Sequence, residues 1–237
     1  MFKLCKLFGV QVYLHWSLGI LGVILLPTLY PVFAVRVDNE LVAGLLSIVL
    51  CVGFGASILW HELAHSLVGR HFNYTTEKIT LLVFGGIASI RGDLRRPGEE
   101  FCVAMAGPIS SVVLGLGFFV LSLPFHYPAV ALSLSMMASI NVVLGIANLA
   151  PAYPCDGGRL LRAGVWKLTG NRRKATVFAG TISKGFAELF VLAGLLMAIG
   201  FTLPVLGTGF MNGLWTAFIG VVLYWMAANE VKIARMT

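Results

Sequence analysis

The sequence predicts an all-α polytopic membrane protein with about six transmembrane helices and one short β-strand or hairpin segment at residues 77–92. Three observations carry this. Of 237 residues, 58% are hydrophobic and 11% are charged, whereas soluble domains carry about 25% charged residues. Six apolar runs reach the roughly 20 residues that a helix needs to cross a bilayer. The basic residues are also strongly biased between successive connections. Of 17 Lys and Arg, 15 fall on one side, Arg36 falls on the other, and Lys184 lies inside a span. In a membrane protein such residues mark cytoplasmic loops, so the formal charge of +7 does not point to nucleic acid.

The spans are expected at 11–34, 41–69, 101–123, 129–150, 175–200 and 208–229. The positive-inside rule places both termini in the cytoplasm. Residues 77–92, EKITLLVFGGIASIRG, are too short and too β-branched for a seventh span and read as strand around Gly85-Gly86. Two readings stand for it. One is an ordinary hairpin at the interface. The other is a sheet edge, to which an extended peptide could add by main-chain hydrogen bonds. In the third span, Ala106-Gly107-Pro108 with Ser110, Ser111, Gly115 and Gly117 reads as close helix packing. Cys5, Cys51, Cys102 and Cys155 form no C-x-x-C pair, and no disulfide is inferred. The N-terminal run lacks a clear cleavage site and is read as a span rather than a removed signal peptide.

The second span ends in Trp60-His61-Glu62-Leu63-Ala64-His65-Ser66. On a helix His61 and His65 share one face, a turn apart. Two imidazoles so spaced can hold one zinc ion, while Glu62 takes a proton from the water that the metal activates. No charge occurs between residues 41 and 60. A His-Glu-His cluster closing such a run is costly in a membrane unless a metal compensates.

A second constellation follows the fourth span: Asn148-Leu149-Ala150-Pro151-Ala152-Tyr153-Pro154-Cys155-Asp156-Gly157-Gly158-Arg159. Its prolines break the helix and its glycines permit a sharp turn. The loop charges bring Asp156 to the same depth as the two histidines. A catalytic zinc takes three protein ligands and keeps one position open, which makes Asp156 the natural third ligand, ahead of Cys155. Glu188 pairs with Lys184 at helical spacing on this reading, and Asp93, Glu99 and Glu100 lie in a solvated basic stretch. Asn148 is read as a substrate or oxyanion contact and Asn141 as helix packing.

With these residues in place, the chain resembles the site-2 protease family of intramembrane zinc metalloproteases. The resemblance rests on His61-Glu62-Leu63-Ala64-His65, Phe84-Gly85-Gly86, Ala106-Gly107-Pro108 and Asn148 to Gly158, in the family's order. It implies a single transmembrane metalloprotease domain over 1–237 holding one zinc on His61, His65 and Asp156, with Glu62 as general base. Phe84, Gly85 and Gly86 would receive an unwound substrate, and Asn148 would help hold it. The implied partners are the lipid bilayer and a membrane-tethered protein: a transcription factor, an anti-sigma factor or a signal-peptide remnant. The implied location is a prokaryotic inner membrane, with the active site nearer the cytoplasmic face. Cys155 departs from the larger aliphatic residue usual in the family. No PDZ-like insertion or nucleotide-binding (CBS) module is seen, which suggests a minimal member or a shortened form. The alternatives are a proteolytically inactive zinc-binding scaffold and a zinc transporter; the outer halves of the spans carry almost none of the His or acidic residues that transport needs.

Overall fold

The computed structural model describes residues 1–82, 85–90, 94–204 and 207–236, and only the backbone over 87–90. The chain forms two compact units. The first comprises Met1–Leu94 and Met105–Ala147, and the second comprises Arg95–Ala104 and Asn148–Thr237.

In the first unit, β1 (Phe2–Leu7) and β2 (Val10–Leu14) form an antiparallel hairpin. Its tip is Phe8-Gly9, both at positive φ (47° and 85°), which suits a two-residue turn between right-twisted strands. This hairpin corrects the expected first span. Residues 11–14 belong to β2, and α1 begins only at Ser17 (Ser17–Ala34). The alternation of buried Val10 and Val12 about Gln11 was the strand signal. It was masked because the apolar run continues straight into the span.

Helix α2 (Glu40–His71) follows. The Asn39 side chain caps it by accepting from the amides of Leu41 (2.9 Å) and Val42 (3.2 Å). At 32 residues it is about 48 Å long, longer than the roughly 30 Å hydrocarbon layer. The hairpin expected at 77–92 is present as β3 (Thr76–Leu82) and β4 (Gly85–Ile90). It belongs to a larger sheet of order β1-β2-β3-β4, in which β2 and β3 run parallel and β4 is an edge. Val10, Ile79 and Leu81 of the sheet pack with Ile58 and Leu63 of α2. The sheet is therefore seated on the helix turns that carry the His-Glu-His motif. Helix α3 (Pro97–Ser122) and α4 (Pro128–Ala147) complete the set of elements that reach this unit. Asn141 has the packing role expected of it: its amide donates to Ser57 Oγ on α2 (2.9 Å) and to the Met137 carbonyl (2.8 Å).

The second unit holds the start of α3, then α5 (Asp156–Thr169), α6 (Arg172–Ala198) and α7 (Phe210–Met236). Helix α5 ends at Gly170 in the left-handed conformation (φ 65°). Asn171 then caps α6 by accepting from the Lys174 amide (2.9 Å). Helices α6 and α7 pack through glycines. A Cβ on Gly194 or Gly213 would run into the backbone of the facing helix, and one on Gly220 would lie 2.7 Å from the Val191 nitrogen. Lys184 does not pair with Glu188 as expected. Its Nζ lies 5.7 Å from the centre of the Tyr224 ring, and Glu188 is exposed with no ion-pair partner among the described residues.

Among the described residues six helices, α1 to α4, α6 and α7, are long and apolar enough to cross a membrane. Their many exposed Leu, Ile, Val and Phe side chains suit contact with lipid. The chain is an integral membrane protein.

Candidate metal centre

The first unit brings together His61, Glu62, His65 and Gly86. The histidine rings meet edge to face, with centroids 4.8 Å apart. Their Nε2 atoms are 3.1 Å apart, and both residues are 4% exposed. Two nitrogens bound at about 2.0–2.1 Å to one tetrahedral zinc lie about 3.3 Å apart, so the pair is already spaced for a shared ion. His61 Nδ1 lies 2.9 Å from the hydroxyl of fully buried Ser111 on α3. With the Nδ1 proton donated to that oxygen, the Nε2 lone pair is left for a metal.

Gly107 of α3 faces the same point. A Cβ there would collide with His65 Nε2 and lie 2.6 Å from His61 Nε2. The residue is glycine because that volume is left for something other than a side chain. A zinc ion fits a cradle so built. From sequence alone Gly107 and Ser111 read only as helix packing. The missed signal was their place, four apart on the face of α3 that meets the motif.

Gly86 of the edge strand stands against Glu62. A Cβ on it would lie 2.9 Å from Glu62 Cδ and 3.0 Å from Oε1. The strand backbone can thus approach the carboxylate only because residue 86 lacks a side chain. Gly85 is at φ 130°, a conformation that favours glycine. Phe84 lies outside the described residues.

The second unit places Asp156 and Asn148 together. Helix α4 stops at Ala147, so Asn148 opens a loop rather than ending a span at residue 150. The Asn148 carbonyl accepts from the Gly157 amide (2.7 Å), folding the loop back over the start of α5. A Cβ on Gly157 would strike the carbonyl oxygens of Leu149 and Ala150. The Tyr153 amide donates to Ser183 Oγ on α6 (3.0 Å), and the Tyr153-Pro154 bond is cis. Asp156, first residue of α5, is 6% exposed. Burial and then the neighbouring Asp156 charge push the Cys155 thiol up. All three ligand candidates, His61, His65 and Asp156, are buried.

Glu100 departs from the expected solvated stretch. It is fully buried and accepts from Arg162 Nη2 (2.5 Å) and Nε (2.7 Å). The Arg162 guanidinium also lies 5.7 Å from the centre of the Tyr153 ring, bracing the loop before Asp156. Burial lowers the Arg162 pKa, but Tyr153 and Glu100 outweigh it and hold the pKa above the usual value. Arg162→Ala should destabilise the protein by about 3–5 kcal/mol, since it strands a buried carboxylate. Thermal unfolding checks this, and Arg162→Ala with Glu100→Gln should recover most of the loss.

The family model of peptidase family M50 matches residues 49–127 and 124–192. The chain belongs to this peptidase family. Among its relatives is Rip3 of Mycobacterium tuberculosis, whose name carries the words zinc metalloprotease; it is 36% identical over 74% of this chain and 44% of its own length. Zinc metalloprotease MJ0392 of Methanocaldococcus jannaschii is 33% identical over 82% of this chain and 54% of its own length. The chain thus spans about half the length of the curated relatives it matches. A solved structure, the site-2 protease from Methanocaldococcus jannaschii, aligns with a TM-score of 0.65 and 27% identity, covering 97% of this chain and 94% of that one. The M50 family's zinc metalloproteases make zinc the cofactor of this member, and the cradle of His61, His65 and Gly107 suits it.

Proposed function

We propose that this M50 member is an intramembrane zinc endopeptidase, working as one transmembrane domain over residues 1–237. It hydrolyses peptide bonds within or beside transmembrane segments of membrane-tethered proteins. The observation that carries this is the paired imidazoles on a membrane helix, with Glu62 set against an edge strand. His61, His65 and Asp156 hold the ion, and Glu62 is the general base. Phe84, Gly85, Gly86 and Asn148 hold the substrate. Transcription factors, anti-sigma factors and signal-peptide remnants fit as substrates. The charge bias supports cytoplasmic termini and a site nearer the cytoplasmic face, and the bacterial and archaeal relatives support a prokaryotic inner membrane.

A helical substrate hides its carbonyls in internal hydrogen bonds and must unwind first. The free edge of β4 offers backbone partners to the unwound stretch. Zinc, when bound, supplies a Lewis acid that polarises the scissile carbonyl and acidifies water. Glu62 orients the attacking water, takes its proton and returns that proton to the leaving amine. Ser111 holds the His61 ring in one orientation throughout. Asn148 is a polar contact for substrate backbone.

A tagged single-span reporter co-reconstituted with the protein tests this. Chelation should abolish cleavage, and added zinc should restore it. Cleavage that continues in metal-free protein would overturn the proposal. Stoichiometric zinc with no cleavage across a panel of tethered substrates would instead support the scaffold.

A further inference from the structure

The second unit contains a cavity of about 170 Å³ lined by Tyr153, Pro154, Trp225, Met226, Asn229, Glu230 and Ile233. It lies against the loop that leads to Asp156, yet nothing in the proposed chemistry uses it. Two polar groups stand out in its lining. The Tyr153 hydroxyl is buried with no hydrogen bond, although the residue is only 3% exposed. Glu230 makes no hydrogen bond or close ion pair among the described residues, and its charge acts at longer range on Arg162 and Tyr153. Buried hydroxyls without a protein partner are few in folded proteins, and each calls for an explanation.

The lining has a definite chemistry. The Glu230 carboxylate, the Asn229 carbonyl and the Tyr153 hydroxyl oxygen are three acceptors, and a primary ammonium brings three donors. Trp225 adds an aromatic face for a cation. Burial pushes the Tyr153 phenol up to about 12, so the hydroxyl stays neutral at physiological pH and does not compete as a charge. The place also has a definite depth. Glu230 is two residues before Lys232 and five before Arg235, near the end of a membrane-spanning helix. Lys and Arg at such ends lie among lipid headgroups, and exposed Trp favours the same belt.

We propose that this cavity binds the ethanolamine headgroup of phosphatidylethanolamine, with its ammonium on Glu230, Asn229 and Tyr153. The lipid then braces the Tyr153-Pro154 turn. A quaternary choline headgroup has no N–H to donate to these acceptors.

The test compares the full chain in nanodiscs of phosphatidylcholine alone and with phosphatidylethanolamine, and titrates dihexanoyl forms of both lipids in detergent. Unfolding temperature and Kd are the readouts, neither of which needs proteolysis. Wild type should be stabilised by the ethanolamine lipid and bind its short-chain form at least about tenfold more tightly than the choline form. Glu230→Gln and Tyr153→Phe should each remove that preference. Tyr153→Phe should be no less stable than wild type in phosphatidylcholine alone, since it removes an unpartnered buried hydroxyl. Equal response to both lipids, or a preference that survives Glu230→Gln, would overturn the proposal. So would Nα-acetyl-lysine methylamide binding at Glu230 while the two lipids remain indistinguishable, which would assign the cavity to a peptide lysine.

Discussion

Glu62→Gln, assayed with the tethered reporter, should retain its full zinc content and lose cleavage by about 10³-fold. The amide has the shape of the carboxylate but cannot take a proton from water. The flank of Glu62 that meets Gly86 is its side-chain stem and carboxyl, and glutamine fills the same space. The imidazole pair is held independently, through Ser111 and the helix spacing. Metal analysis beside the cleavage assay separates the two contributions. Zinc lost from the variant would make Glu62 a ligand, and unchanged turnover would remove it from the chemistry.

Gly107→Ala should produce the opposite pattern of metal and stability. The new methyl occupies the point toward which both Nε2 atoms converge. Zinc affinity should fall by about 100-fold or more, and cleavage should fall to background. The metal-free protein should remain folded, because alanine favours a helix interior by about 1 kcal/mol over glycine. Zinc titration and thermal unfolding of the metal-free form check both halves. Normal zinc binding by Gly107→Ala would mean that the cradle described around His61 and His65 holds no ion.

Much of this was legible in the sequence because its signals are local. Hydrophobic length marked the spans, and four-residue spacing put His61 and His65 on one face. The breakers around Asp156 marked a loop. What was missed depends on packing between distant segments. The β1–β2 hairpin merged into the apolar run of the first span. Helix α5 is polar and only 14 residues long, so it carries no membrane signal and lay hidden behind two glycines. Gly107 and Ser111 look like packing residues until α3 is set against α2. Glu100 looked solvated because its partner, Arg162, lies 62 residues away.

The edge strand beside Glu62 has a consequence for how such a protease gains and loses targets. On the proposed function, a chain docked at Gly85 and Gly86 meets two residues that carry no side chain. Discrimination by residue identity is therefore weak at the point nearest the chemistry. On the same proposal, new targets would arise through helices that unravel easily. Old ones would be lost when a helix stiffens, with the cleaved bond itself unaltered. Comparison of target sequences around that bond should show little consensus, and the selective record should lie in helix stability.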